Sequence, residues 1–155
     1  MSVYFFRFLL IILLSVLSGC SSLGPVGAPG FDEEFSRTIV PGEQLEHYAP
    51  CNLYAGTYMD GKPYTVPVYD GVLVVTDQRI IFTQWDESEK YYKPLIWIKY
   101  GDIRRVKKQH DSLLRYVAVE GHDMSKNAYH MMGPSVDLVY EKIRESIKTG
   151  YRHSN

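Results

Sequence analysis

Two cysteines and five histidines are the side chains of this chain best suited to ligate a metal, attack a substrate or shuttle a proton. Their spacing supports none of these. His47, His110, His122, His130 and His153 form no HxH or HExxH pair of the kind that aims two imidazoles at one metal ion. Glu120-Gly121-His122-Asp123 is the densest polar cluster holding a histidine, and it reads as a turn between two strands. His130, beside Met131 and Met132, reads as a strand residue. No GxSxG elbow and no phosphate-cradling glycine loop occurs, and no serine has a visible base. The expectation is a protein that is not an enzyme and uses no metal and no cofactor. A hydrolase assembled from distant residues would need a deep cleft with convergent polar groups.

Cys20 has a different setting. It follows a single basic residue, Arg7, and an apolar run from Phe8 to Leu17. Ten residues fall short of the roughly 20 that a membrane-spanning helix needs. They fit the apolar region of a secretory signal peptide with small residues at the cleavage point. Leu17-Ser18-Gly19-Cys20 resembles the lipobox of bacterial lipoproteins, although one Arg is a sparse basic region for such a signal. The resemblance implies a diacylglycerol on the Cys20 thiol and removal of residues 1–19. Cys20 then becomes an acylated first residue, joined to the membrane by chains of the palmitate kind. Each buried methylene contributes about 0.8 kcal/mol, so several chains make a lasting anchor. The competing reading is an uncleaved transmembrane anchor with an incidental cysteine. Ser21 stands where an Asp usually retains such proteins in the inner membrane, so the resemblance implies the outer membrane, facing the periplasm, with the inner membrane as the alternative.

Cleavage before Cys20 removes only Arg7 among the charges. It leaves 16 of the 17 Lys and Arg against 18 Asp and Glu, a net charge of −2. Such a chain is no polycation, and a nucleic-acid partner is not expected. The remaining 136 residues suffice for one domain. If Cys20 is acylated, Cys51 has no partner within the chain for a disulfide. Cys51 is then either a buried small hydrophobe or a reactive thiol, and no neighbouring motif supports the thiol.

The elements that must position any site begin after a linker. Gly and Pro are dense from Gly24 to Gly30, so residues 20–42 read as an acylated N-terminus and flexible tether, with Phe31 and Phe35 as potential docking points. Residues 43–149 read as the domain and 150–155 as a tail. A first strand covers Glu43 to Gly56, with Leu45, His47 or Tyr48, Cys51 and Leu53 near the core. Asp60-Gly61 marks a turn in a Tyr- and Val-bearing hairpin or ordered loop. Val72–Val75 and Ile80–Trp85 read as two strands joined at Thr76-Asp77-Gln78-Arg79. Ile96 and Ile98 alternate with Trp97 and Lys99 in a strand with one face on the core. Further strands follow from Asp102, over 113–121 and near Asn127. Val136, Val139, Tyr140, Ile143 and Ile147 then form one stripe of an amphipathic helix. Pro134 and Ser135 start that helix, Asp137 complements its dipole, and Gly150 ends it.

Gly71-Val-Leu-Val-Val-Thr-Asp-Gln-Arg-Ile-Ile-Phe82, then Pro94-Leu-Ile-Trp-Ile98 and Asp102-Ile103-Arg-Arg-Val106, resemble bacterial pleckstrin-homology-like and GRAM-type domains over residues 43–149. The resemblance implies a mainly β fold with one C-terminal helix: a small barrel or sandwich of about seven strands capped by the helix. It leaves function open, because this fold serves many tasks.

Two surface features suit a partner. Arg104, Arg105, Lys107 and Lys108, with Arg115 on the next strand, form a cationic patch. On a tethered domain it could meet anionic phospholipid, each charge adding about 1 kcal/mol. The same charges could simply protect a sheet edge. Tyr54, Tyr58, Tyr64 and Tyr69 surround the hairpin, and Tyr is favoured at protein contacts as well as in strands. The first expectation is therefore an anchored, non-enzymatic binding module for another envelope protein, with anionic lipid binding as the alternative and an envelope hydrolase as the third reading.

Overall fold

The structure, a computed structural model, describes residues 23–28, 31–33, 35, 42–56, 68–111, 114–132 and 134–153. Seven strands run β1 (Leu45–Ala55), β2 (Val68–Thr76), β3 (Arg79–Asp86), β4 (Tyr91–Lys99), β5 (Ile103–Asp111), β6 (Leu114–Gly121) and β7 (Lys126–His130). They form one antiparallel sheet in the order β4-β3-β2-β1-β7-β6-β5. A short 3-10 turn (Tyr100–Asp102) joins β4 to β5, and the C-terminal helix α1 (Ser135–His153) follows β7. The expected class, mainly β with one C-terminal helix, is what forms.

The long first strand joins the two halves of the sheet. β1 pairs with β2 from Leu45 to Tyr54, but with β7 only from Asn52 to Ala55. One strand thus carries the sheet from one half to the other. The β2–β3 turn is held by Thr76, whose hydroxyl accepts from the backbone N–H groups of Gln78 and Arg79 at 3.1 and 3.0 Å. The hydroxyl donates to Glu43 at 2.8 Å, and Glu43 also pairs with Arg79 at 2.6 Å. Gly71 is required where β2 meets β3, because a Cβ there would lie 2.2 Å from the carbonyl oxygen of Thr83.

The apolar stripe of α1 closes one face of the sheet. Val136, Val139 and Ile143 are buried, and Tyr140 and Ile147 pack beside them against Leu53, Leu73, Phe82, Val117 and Val119. The apolar stripe expected from the sequence is the one observed, but the helix does not end at Gly150 as expected: it continues to His153, into the stretch read as a tail.

The opposite face of strands β2–β4 carries a second cluster. Val72, Leu73, Val74 and Val75 are all fully buried although they are consecutive, as are Ile80, Ile81 and Phe82. Alternation sends Leu73, Val75, Ile80 and Phe82 to the helix side, and Val72, Val74 and Ile81 to the other. What covers that other face is the segment expected to be a spacer. Phe31 and Phe35 are buried there with Tyr92, and Val26, Tyr48 and Trp85 pack around them. The two phenyl rings stack 5.0 Å apart, and Tyr92 meets both edge-on. The Tyr92 hydroxyl donates to the Leu23 carbonyl at 2.8 Å, and burial pushes its pKa up to about 12. Gly24 has φ +67°, and a Cβ there would lie 2.6 Å from the Trp85 ring. Glycine and proline density therefore marks a chain shaped to a surface in this stretch. The physical reason is that Val72, Val74 and Ile81 need a cover, and two phenyl groups supply it.

Candidate functional site

β5 is one edge of the sheet among the described residues, and it carries most of the cationic patch. Its charges are heavily paired. Arg104 and Arg105 both bond the carboxylate of Glu120 on β6, Arg105 through Nε at 3.0 Å and Nη2 at 2.6 Å. Burial pushes the Glu120 carboxyl up, but the hydrogen bonds from Arg105 and Arg104 outweigh it and hold it below the usual value. Lys108 and Arg115 converge on Asp137 at 3.0 and 2.8 Å. Asp137 lies in the first turn of α1, where the helix dipole also favours a carboxylate. The Lys108 ammonium stands 4.9 Å over the Tyr140 ring as well. Among the described residues, Lys107 is the one member of the patch without a carboxylate partner.

The tyrosine set divides. Tyr54 is half-buried, with its ring 6.4 Å from that of Tyr116. Tyr69 is exposed on β2. Tyr58 and Tyr64, the Asp60-Gly61 turn, Cys20 and Ser21 lie outside the described residues.

β4 forms the other edge, and its character is opposite. Leu95 is 39 % exposed and Trp97 is 54 % exposed, with Pro94 and Tyr91 also exposed. Leu95 is skipped in the β3–β4 register, where Phe82 pairs with Ile96 and Thr83 with Pro94. The bulge turns an apolar side chain outward. The Arg79 guanidinium lies 5.5 Å from the centre of the Trp97 ring, within cation–π range. A groove of about 670 Å³ runs between this strand and the β6–β7 turn, lined by Ile96, Trp97, Ile98, Asp102, His122 and Asp123 among others. Sequence reasoning named Trp97 only as the outward partner of Ile96 and Ile98. That alternation was itself the signal, since a tryptophan facing away from a core needs another reason to be there.

The polar clusters are local structure. Asp123 accepts from the backbone N–H and hydroxyl of Ser125 at 2.9 and 2.6 Å, which closes the β6–β7 turn beside His122. Cys51 is buried in the helix-side core, and burial drives its thiol pKa far up. A second groove of about 400 Å³ is lined by Leu23, Pro50, Asn52, Asp70, His130 and Met132 among others. There Asn52 donates to Asp70, and the His130 ring nitrogen Nδ1 stands 3.4 Å from the Asn52 side-chain oxygen. Among the described residues no group of three or more His, Cys, Asp or Glu could hold a metal ion.

No family model matches the chain, and no curated protein matches it. Solved structures do. A structure of Vav1 inhibited by an allosteric inhibitor has a TM-score of 0.51 at 6% identity, over 66% of this chain and 26% of that one. The DH/PH domains of p115-RhoGEF give 0.50 at 10% identity, over 79% of this chain and 36% of that one. The C-terminal domain of an unknown protein from Leishmania infantum gives 0.48 at 16% identity, over 76% and 94%. The chain thus spans about a quarter to a third of the Vav1 and p115-RhoGEF chains. Likeness at such identities concerns the fold, and the fold is pleckstrin-homology-like: seven antiparallel strands and a C-terminal helix.

Proposed function

We propose that this chain is a lipoprotein, acylated on Cys20, whose pleckstrin-homology-like domain is a non-enzymatic binding module for another protein of the cell envelope. The lipobox supports the anchor, and Ser21 supports the outer membrane with the domain in the periplasm.

The observation that carries the binding reading is the contrast between the two sheet edges. β5 is lined with charge, the usual protection against unwanted strand pairing. β4 instead presents Leu95 and Trp97 beside a groove. A bare edge strand offers backbone groups for strand addition, with pockets for alternate side chains supplying specificity. Tryptophan is the side chain most enriched among residues that dominate binding energy. The Arg79 contact favours one placement of the ring before any partner arrives, which would lower the ordering cost of association.

The test places a photo-activated crosslinking residue at Trp97, and separately at Leu138, an exposed apolar position on α1, in the full chain in cells. A discrete protein adduct from position 97 and none from 138 is the expected result. Adducts from both positions alike, or from neither, would reject β4 as the contact surface.

A further inference from the structure

The packed segment before β1 fixes more than a hydrophobic cover. Leu23 is tied to the sheet by the Tyr92 hydroxyl, Gly24 lies against Trp85, and Phe31 and Phe35 are buried. Only Ser21 and Ser22 separate Cys20 from Leu23. Three residue steps reach at most about 11 Å. The headgroup layer of one leaflet is roughly 6 Å deep. A lipid on Cys20 therefore leaves at most about 5 Å of chain beyond the headgroups, too little to stand the domain away from the bilayer.

What surrounds Leu23 suits that position. It lines the 400 Å³ groove together with Pro50, which is exposed, and Met132. Met132 is 85 % exposed, more than any other large apolar side chain among the described residues. An unbranched thioether at full exposure gains from transfer into the acyl–headgroup boundary.

We propose that the end of the sheet around Leu23, Pro50 and Met132 is seated on the lipid headgroups, held there by the packing of Leu23, Gly24, Phe31 and Phe35, which act as a collar between lipid and domain. The proposal rests on acylation of Cys20. Its occupant is the lipid surface, because the acyl chains and the short reach from Cys20 bring that surface there. The β6–β7 turn is then carried to the far side, since Pro50 and Ala55 are five residues apart along β1, about 17 Å, and Gly56 bonds Lys126 beside that turn.

The experiment uses the full chain, processed in cells, purified and returned to vesicles of phosphatidylethanolamine and phosphatidylglycerol. In a Cys51→Ala background, a bimane fluorophore is placed at Met132→Cys or at Met124→Cys in the far turn. Headgroup-bound nitroxide lipid is the quencher. Several-fold stronger quenching at position 132 than at 124 is expected. Two variants should abolish the difference: ten Gly/Ser residues inserted between Ser22 and Leu23, and Gly24→Val, which drives the collar off Trp85. Equal quenching at both positions in a chain whose mass carries the acyl groups overturns the collar and leaves the lipoprotein reading standing. So does an unchanged difference after the insertion. A chain without the acyl mass overturns both readings together.

Discussion

Glu120 shows how a surface of positive charge can be structural. The residue is 6 % exposed, and its carboxylate takes both Arg104 and Arg105. Because the fold holds its pKa below the ordinary 4.5, the unfolded chain binds its proton first as the solution is acidified. Its contribution is complete above about pH 4.5 and is lost as pH falls through the folded value. Asp137 behaves likewise, held down by hydrogen bonds from Arg115 and Lys108. Glu120→Gln should lower the urea midpoint at pH 7, and the gap from the parent protein should narrow towards pH 3. A gap that stays constant with pH would show that charge is not its source. Reversing Arg104 and Arg105 would leave a buried carboxylate facing new carboxylates, so loss of lipid binding in that variant would report unfolding. Lys107→Glu is the cleaner probe of the lipid reading. The cations were legible in the sequence as a run, whereas their carboxylates lie 15 and more positions away and only the β5–β6 register and the start of α1 bring them in. Cys51 was legible as a buried hydrophobe, and the structure adds the reason for inertness. With its thiol pKa raised by burial, Cys51 in the folded protein should resist iodoacetamide at pH 8 and react once urea unfolds the chain. Rapid labelling of the native protein would contradict the packing of β1.

At the scale of elements, the consecutive apolar residues of β2 and β3 are the informative feature. A strand buried on one face alternates, while a strand buried on both does not. Val72–Val75 and Ile80–Phe82 therefore carried a message about a second cover, which the alternation of β4 and the stripe of α1 do not. The strands and the helix were legible because their periods are local. The cover was not, because Gly24–Gly30 has the composition of a linker and its two anchoring rings, Phe31 and Phe35, lie beyond that stretch. Truncating a fully buried phenylalanine costs about 3–5 kcal/mol. Phe35→Ala should therefore lower the unfolding free energy by about 3 kcal/mol, read by urea titration of a chain starting at Leu23. A chain starting at Glu43 should expose Val72, Val74 and Ile81, bind a hydrophobic dye and aggregate. Equal stability of the two chains would mean the cover contributes nothing. The glycine and proline residues are then best understood as shaping: Gly24 adopts φ +67° and admits the Trp85 ring where any other residue would collide.

At the scale of the whole molecule, the proposed anchor and the proposed binding edge make separate demands on the surface. The groove between β4 and the β6–β7 turn is lined by Ala55 and Gly56, at the other end of β1 from Pro50, so seating Pro50 on lipid would leave that groove open to a partner. This division assigns little of the membrane affinity to electrostatics. Without residues 1–19 the chain would carry a net charge of −2, and four of the five patch cations are already spent on Glu120 and Asp137. Acyl chains are indifferent to salt, while attraction to anionic headgroups is screened within about 3 Å at 1 M. Membranes carrying the full chain, washed in 1 M sodium chloride, should accordingly keep it, and Lys107→Glu should change nothing. Cys20→Ala should free the chain from the membrane at low salt as well as high, or leave it as an uncleaved precursor recognisable by mass. Release of the parent protein by salt would instead return the cationic edge to the centre of the account, because attachment would then depend on charges that the carboxylates had failed to neutralise.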